Sequence, residues 1–156
     1  MQKTNAMRIL DKAKIQYKTA EYPVDENDLS GTHVADSVGM PYESVFKTLV
    51  ARGDKTGILV LCIPVHLELD LKKAAKASGN KKLEMIAVKD LLPLTGYIRG
   101  GCSPVGMKKQ YPTFLDESAM SQAEIAFSAG VRGGQIIMPP EVLAEFVRAT
   151  VTSLTA

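Results

Sequence analysis

The sequence is poor in residues that form disulfide frameworks and in long apolar segments. It has only two cysteines, Cys62 and Cys102, among 156 residues, which is too few for the disulfide framework of a small secreted protein. No apolar run approaches the ~20 residues needed to cross a bilayer. The first residues pass directly into a helical pattern, without the apolar segment of a signal peptide. We therefore expect a cytosolic protein without membrane contacts.

Common catalytic motifs are also missing. The sequence has no Walker loop, no dinucleotide-binding fingerprint and no Gly-x-Ser-x-Gly elbow. Its two cysteines and two histidines, His33 and His66, do not occur at metal-ligand spacings. We therefore expect neither a metal site nor a cofactor. A nucleophilic triad would require distant residues to converge.

Three isolated residues have both a catalytic and a structural interpretation. His33 lies near the start of a short predicted helix, and His66 follows a buried strand, so surface or structural roles are favoured for both. Cys102 lies in a glycine-rich loop and is the better candidate for a reactive thiol. The sequence offers no local base to lower its pKa from ~8.5. We therefore favour a packing role.

The pattern of elements predicts one α+β domain over residues 1–156. Hydrophobic residues make up 46% and charged residues 23%, which is typical of globular proteins. Helices are predicted over 5–14 and 88–92. Another starts at the N-cap Thr32 and ends at Gly39, and one lies between the N-cap Asp70 and the terminator Gly79. The last helix starts at Pro139. Strands are predicted over 17–22, 45–52, 58–65, 113–116, 125–128 and 135–138. Because βα units do not repeat, we expect a mixed, curved sheet surrounded by helices.

Three segments carry the candidate chemistry. The first is Val45–Leu49, in which alternation directs Lys47 to one face of a strand. The second is Thr95–Lys109, whose adjacent glycines allow close backbone approach and expose N–H groups to an oxyanion or a ribose oxygen. The third is Phe127–Gln135, where a strand ends and a turn carries an arginine. A solvated lysine and tight irregular connections are the structural alternatives.

Lysines cluster in two places. Such clusters could neutralise phosphates in a salt-dependent way or simply solvate a surface. The lysines concerned are Lys72, Lys73, Lys76, Lys81, Lys82, Lys108 and Lys109.

Together these segments resemble the YbaK/EbsC family of Cys-tRNA(Pro) deacylases, from about Lys3 to Phe146. The resemblance rests on four motifs and one turn: Phe46–Leu49, Leu69–Ala77, Lys81–Met85, Thr95–Lys109 and Ser128–Gly133. It implies a barrel-like curved sheet and a freestanding enzyme that removes cysteine mischarged onto proline tRNA. It implies aminoacyl-tRNA as the substrate and prolyl-tRNA synthetase as a plausible partner.

The resemblance also implies roles for residues. Lys47 matches the family's essential lysine, and Gly100 and Gly101 match the glycine pair beside the scissile ester. Substrate contacts are expected from Tyr22, Thr48, Ser103, Pro104 and Ser128. The lysine clusters are expected to hold the tRNA.

No protein nucleophile is evident, so we expect the thiol of the esterified cysteine to attack its own carbonyl, with the Gly100 and Gly101 N–H groups holding the oxyanion. The chain differs from some members at two places: those members carry an aromatic residue near Ser30 and an aspartate at the position of Gln135. The aminoacyl group therefore stays open, with Ala-tRNA(Pro) as an alternative. Two different functions also stay open: a non-catalytic module that binds tRNA or a synthetase, and a hydrolase acting through Cys102.

Overall fold

The computed structural model describes residues 2–156, which form an α+β domain as predicted; Met1, the first residue of the predicted domain, lies outside them. The α-helices are α1 (Asn5–Lys12), α2 (Gly31–Val38), α3 (Leu71–Ser78), α4 (Val88–Thr95) and α5 (Pro140–Val147). The strands are β1 (Lys18–Glu21), β2 (Phe46–Gly53), β3 (Gly57–Pro64), β4 (Leu83–Met85), β5 (Thr113–Asp116), β6 (Ile125–Ser128), β7 (Gly134–Met138) and β8 (Thr150–Thr152).

The strands form two sheets. The larger has the order β4-β2-β3-β5-β8, with parallel pairs at β3–β5 and β5–β8, and the smaller has the antiparallel order β1-β7-β6. A single bridge between Val45 and Ala126 joins them beside the start of β2. The sheets are therefore mixed, as expected, but the strands described do not close into a barrel, and the barrel-like sheet is not confirmed.

The β2–β3 hairpin is the centre of the larger sheet. Its register runs without a bulge from Phe46 opposite Pro64 to Gly53 opposite Gly57. A proline near the end of a strand predicts a bulge or an edge at that position. The strand β3 pairs with β5 only over Val60–Cys62, so Pro64 lies where β3 has a neighbour on one side only. A residue without an N–H is tolerated at such an edge.

Hydrophobic clusters pack on both faces of this hairpin. One contains Phe46, Val60 and Cys62 and extends to α1, α5 and the smaller sheet. The other contains Leu61 and Ile63 and is covered by α3. Because side chains alternate along a strand, Phe46 faces the first cluster, whereas Leu49 and Ala51 face the second. Lys47 and Thr48 therefore lie on opposite faces of the same strand.

Some helix termini follow the sequence prediction and others differ from it. The Asp70 carboxylate accepts hydrogen bonds from the N–H groups of Lys72 and Lys73 at 3.0 Å, which confirms the predicted N-cap of α3. The N-cap of α2 is Ser30, not Thr32, because the Ser30 hydroxyl accepts from the His33 N–H. This correction moves the start of α2 towards the loop that follows β1.

Candidate active site

A cavity of about 410 Å³ lies beside β2, between the smaller sheet and the segment from β4 into α4. Its walls come from the loop before α2, from β2, from the glycine-rich loop and from the ends of β6 and β7. The lining residues are Tyr22, Leu29, Ser30, Gly31, Val34, Val45, Phe46, Lys47, Thr48, Leu49, Val50, Val65, Met85, Ile86, Ala87, Val88, Leu91, Arg99, Gly100, Cys102, Ser128 and Gln135.

The cavity fills a gap along one edge of β2. The strand β4 pairs with β2 only over Ala51–Gly53, and the bridge to β6 lies at Val45. The Ile86 N–H donates to the Val50 carbonyl at 3.3 Å, so the backbone of Val50 points away from β3. In an antiparallel strand every second residue directs its N–H and C=O to the same side. The N–H and C=O of Thr48 therefore face the cavity.

The side chain of Thr48 lies on the face of the first core cluster. Its Oγ1 is 3.9 Å from the Cys62 Sγ of the opposite residue. Thr48 thus combines a partly buried hydroxyl with a backbone donor and acceptor at the cavity. The sequence predicted the residue but not its exposed backbone groups, because an unpaired edge depends on where the neighbouring strands end.

Lys47 is half-buried and lines the cavity from the other face of β2. Its Nζ has neither a hydrogen bond nor a salt bridge to any residue between 2 and 156. Burial lowers the pKa of Lys47, and the charge of Glu68 partly opposes this effect. Such an ammonium group, half-buried and without a fixed partner, is suited to bind an anionic part of a substrate.

The two glycines are packed against a neighbouring turn. Gly100 has φ +85°, and a Cβ there would lie 3.3 Å from the Arg132 Nε. A Cβ on Gly101 would lie 3.1 Å from the backbone of Val131 and Arg132. A side chain at either position would therefore push the loop away from this turn. Of the pair, Gly100 alone is among the lining residues.

Of the two glycine N–H groups expected to bind the oxyanion, one is already used in a hydrogen bond within the loop. The Gly101 N–H donates to the Ile98 carbonyl at 2.9 Å, so it is already committed within the loop. The Gly100 N–H has no backbone partner among residues 2–156, and together with the edge N–H of Thr48 it can serve a substrate oxygen. Gly101 supports the loop, and its catalytic role stays a prediction.

Ser103 and Pro104 lie behind the cavity. Both are buried, and the Ser103 hydroxyl accepts a hydrogen bond from the Val105 N–H at 3.2 Å. Neither is among the lining residues. The structure therefore shows them shaping the glycine-rich loop, and their predicted contact with substrate stays a prediction.

Tyr22, Ser128 and Gln135 meet at one end of the cavity. Ser128 lies directly opposite Gln135 across β6 and β7, and its hydroxyl accepts from the Gly130 N–H at 3.1 Å. The buried Oε1 of Gln135 has no hydrogen-bond partner among the described residues. An unpaired buried acceptor is costly. This carboxamide is consequently a candidate contact for a substrate donor.

The structural roles favoured for His33, His66 and Cys102 agree with their positions. Neither His33 nor His66 lines the cavity, and His66 is exposed beside the Tyr42 ring. Cys102 does line the cavity, but burial raises the pKa of its thiol to about 12. The thiolate needed for nucleophilic attack is therefore scarce at neutral pH.

The predicted tRNA-binding lysines are exposed and lie outside the cavity. Lys82 precedes Leu83, which pairs with Gly53, six residues along β2 from Lys47. At about 3.3 Å per residue this places Lys82 roughly 20 Å from Lys47 along the strand, whereas Met85, three residues after Lys82, lines the cavity. Lys73 donates to the Thr155 carbonyl at 2.8 Å, and the Lys109 Nζ lies 5.9 Å from the centroid of the Tyr111 ring.

Two arginines at the cavity were not predicted as site residues. Arg99 lines it, and the Arg132 Nε donates to the Arg99 carbonyl at 2.9 Å. The sequence contained a signal for both, since each flanks a glycine motif, but their contact depends on the tertiary fold.

Residues 2–156 contain neither a metal-ligand cluster nor a membrane-spanning helix. No group of three histidine, cysteine, aspartate or glutamate side chains is placed to hold a metal ion. Within the same range, no helix combines the length and apolarity needed to cross a membrane.

Comparisons with known proteins agree with this architecture. The aminoacyl-tRNA editing domain family matches residues 30–146. One relative is EbsC from Enterococcus faecalis, named as a candidate Cys-tRNA(Pro)/Cys-tRNA(Cys) deacylase. The two sequences are 52% identical over 154 residues, which cover 99% of this chain and 94% of EbsC. It is 26% identical over 112 residues, 72% of this chain and 71% of the relative, to the uncharacterized protein YwhH from Bacillus subtilis.

A solved structure is also similar. The crystal structure of a candidate trans-editing enzyme for prolyl-tRNA synthetase superposes with a TM-score of 0.85 at 25% identity, covering 100% of this chain and 99% of that one. The chain belongs to the aminoacyl-tRNA editing domain family. More particularly, it is an aminoacyl-tRNA deacylase, an enzyme that releases an amino acid esterified to tRNA.

Proposed function

We propose that this deacylase hydrolyses cysteine mischarged onto proline tRNA, with the cysteinyl thiol as the nucleophile. The observation that carries the mechanism is the composition of the cavity wall. The described residues that line it include no histidine, aspartate or glutamate, and the Cys102 thiol is protonated at neutral pH. The wall thus offers no general base of the usual kind, which favours a nucleophile supplied by the substrate.

The reaction balances within the substrate. The thiol attacks its own ester carbonyl, a C–S bond forms, and the bond from the carbonyl carbon to the ribose oxygen breaks. The thiol proton passes to the leaving ribose oxygen, and water later opens the small cyclic thioester. The intramolecular attack benefits from a high effective molarity. The N–H groups of Gly100 and Thr48 support the developing oxyanion.

Lys47 binds the anionic end of the tRNA beside the ester. An ammonium group suits a phosphate better than it suits proton abstraction at neutral pH, because even a lowered lysine pKa favours the charged form unless the shift is large. Tyr22, Ser128 and Gln135 contact the aminoacyl group, and Ser103 and Pro104 hold the loop that carries Gly100. The exposed lysines hold the acceptor stem.

The biological need follows from the limits of discrimination by size. A proline pocket cannot strongly reject cysteine, since a difference of about one small group gives only ~10–200-fold discrimination. We propose that residues 1–156 serve as an editing domain in the cytoplasm, with prolyl-tRNA synthetase as a partner. The name of the Enterococcus relative supports cysteinyl-tRNA as the substrate class, including Cys-tRNA(Cys).

The test compares three substrates and two variants. Release of the amino acid is measured from Cys-tRNA(Pro), Ala-tRNA(Pro) and Ser-tRNA(Pro). We expect cysteine to be released fastest, and Lys47→Ala to lower this rate by about 100-fold, as for the loss of one electrostatic contact in an active site. Lys55→Ala, in the exposed β2–β3 turn, is the matched control and should keep full activity.

Each competing function has its own result. Equal rates on Ser-tRNA(Pro) and Cys-tRNA(Pro) would exclude the thiol mechanism, and preferred release of alanine would change the substrate within the family. A large loss in Cys102→Ala, with the fold intact, would restore the Cys102 hydrolase. Binding without release from any substrate would leave a tRNA-binding or synthetase-binding module.

A further inference from the structure

The glycine-rich loop and the turn after β6 are joined by one arginine. The Arg132 Nε donates to the Arg99 carbonyl at 2.9 Å, and the Arg132 side chain passes against Gly100. The two terminal nitrogens of Arg132 have no hydrogen-bond or salt-bridge partner among residues 2–156. The guanidinium group is therefore held in place through Nε, with its outer N–H groups unpaired.

The surrounding charge is of one sign. The charged residues among those lining the cavity are Lys47 and Arg99, both cationic. Arg99 is exposed and has no salt bridge to any described carboxylate. Arg99 anchors the Arg132 guanidinium group through its backbone carbonyl and carries a guanidinium group of its own. Two guanidinium groups therefore lie on residues beside Gly100, at the rim of the cavity.

We propose that Arg132 and Arg99 form a phosphodiester-binding site at the rim of the cavity, which takes a backbone phosphate near the 3′ end of the tRNA. The proposal rests on the assignment of the cavity to the aminoacyl ester. A guanidinium group offers parallel N–H donors that match the oxygens of a phosphate. An anchored guanidinium loses less side-chain entropy on binding than a free one.

This site acts at a different place from the lysine clusters. Lys82, which precedes β4, lies about 20 Å from Lys47 along the strand direction, and none of the clustered lysines lines the cavity. The arginine pair, in contrast, adjoins Gly100. It therefore orients the terminal nucleotides relative to the cavity, whereas the lysines hold the stem without orienting its end.

The experiment measures binding with two probes that cannot be hydrolysed. One is proline tRNA with cysteine joined to its 3′ end through an amide. The other is the corresponding cysteinyl-amide of adenosine, which has no phosphate. The variants are Arg132→Gln and Arg99→Ala; the second retains the backbone carbonyl that anchors Arg132. Arg8→Ala, exposed on α1, is the matched control. Each affinity is measured at several salt concentrations.

We expect each variant to weaken tRNA binding by about tenfold, the effect of losing a hydrogen bond to a charged group. The slope of log affinity against log salt should become shallower by ~0.7, the value for one single-strand phosphate. Affinity for the phosphate-free probe should stay unchanged. Arg8→Ala should change neither quantity.

Two results would overturn the proposal. Equal weakening of both probes would mean that Arg132 only positions the loop, and an unchanged salt slope would mean that no phosphate is bound. If Arg132→Gln fails to fold, the test rests on Arg99→Ala, because this variant keeps the backbone carbonyl that anchors Arg132. The outcome is separate from catalysis, because a protein that binds both probes but cleaves no ester would contradict the proposed function and leave this site standing.

Discussion

Ser128 and Gln135 lie directly opposite each other on β6 and β7, and both line the cavity. The Ser128 hydroxyl accepts from Gly130, whereas the Gln135 Oε1 has no partner in the described chain, and its Nε2 makes only a long contact of 3.4 Å with the Gly134 carbonyl. The pair therefore contains one satisfied group and one unsatisfied acceptor. The acceptor is available to a substrate.

Replacing Gln135 by Leu separates these roles. The fold should keep its stability, because the carboxamide makes no short hydrogen bond. KM for aminoacyl-tRNA should rise roughly 3- to 10-fold, the effect of one lost hydrogen bond. Steady-state kinetics and urea unfolding measure the two quantities. Gln16→Leu, at an exposed position, is the control. A Gln135→Leu variant that unfolds readily while keeping its KM would assign the residue to the core instead.

Lys47 should lower the stability of the free protein. Burial lowers its pKa, which means that the surroundings disfavour its charged form. We expect Lys47→Met to increase the free energy of unfolding by about 0.5 kcal/mol or more, in the range of known stabilising changes at functional sites, while deacylation is lost. Urea unfolding at neutral pH measures the change, with Lys55→Met as control. A destabilised Lys47→Met variant would indicate a structural lysine.

The N-cap of α3 is a site where a small change should have a defined effect. Asp70→Ala removes the acceptor of two backbone N–H groups and should lower the free energy of unfolding by about 1 kcal/mol. Asp70→Asn keeps an acceptor oxygen and should lose much less. Denaturant midpoints of the two variants provide the comparison. Equal losses would mean that the charge, and not the cap, matters.

The two buried cysteines should make the protein sensitive to alkali. Burial raises the pKa of Cys62 and of Cys102 to about 12, from a value of 9.0 for an exposed thiol. Below pH 9 both are protonated in the folded and unfolded chains, so their contribution is constant. Between pH 9 and 12 the unfolded chain loses protons that the folded chain retains. The free energy of unfolding should therefore fall by about 1.4 kcal/mol per pH unit for each cysteine.

Alanine variants test this dependence. Cys62→Ala and Cys102→Ala should each make the alkaline decline shallower than in the original chain, whatever their effect at neutral pH. Unfolding in urea from pH 8 to 11 gives the slopes. A decline that is unaltered by either change would trace the alkaline sensitivity to other groups.

Local signals in the sequence predicted much of the fold. The Asp70 cap, the Gly79 terminator and the strand Thr113–Asp116 all appear where expected, because each depends on neighbouring residues. The strands β4 and β8 were not predicted. Each has three residues and is held by pairing with β2 or β5, which no local pattern reveals. The helix α4 extends past Pro93 to Thr95, beyond the predicted end at Leu92, and Gly96 is its C-cap.

The candidate site was predictable only in part. Lys47, Thr48, Gly100, Tyr22 and Ser128 do meet at one cavity, and resemblance to the family was needed to select them. The backbone of Thr48 and the contact between Arg132 and Arg99 could not be predicted. The first depends on where β4 and β6 end, and the second joins residues 33 positions apart.

The gap beside Thr48 has a consequence for association between molecules. An unpaired strand edge normally offers a template on which a second chain can add a strand. Here β6 closes one end of the edge through Val45, and β4 closes the other from Ala51 onward. The Val50 carbonyl is also taken, by the Ile86 N–H, so the open stretch has about four residues, fewer than the five to six of an ordinary strand. The protein can thus leave backbone groups free for a small ligand while denying a foreign strand enough length to pair.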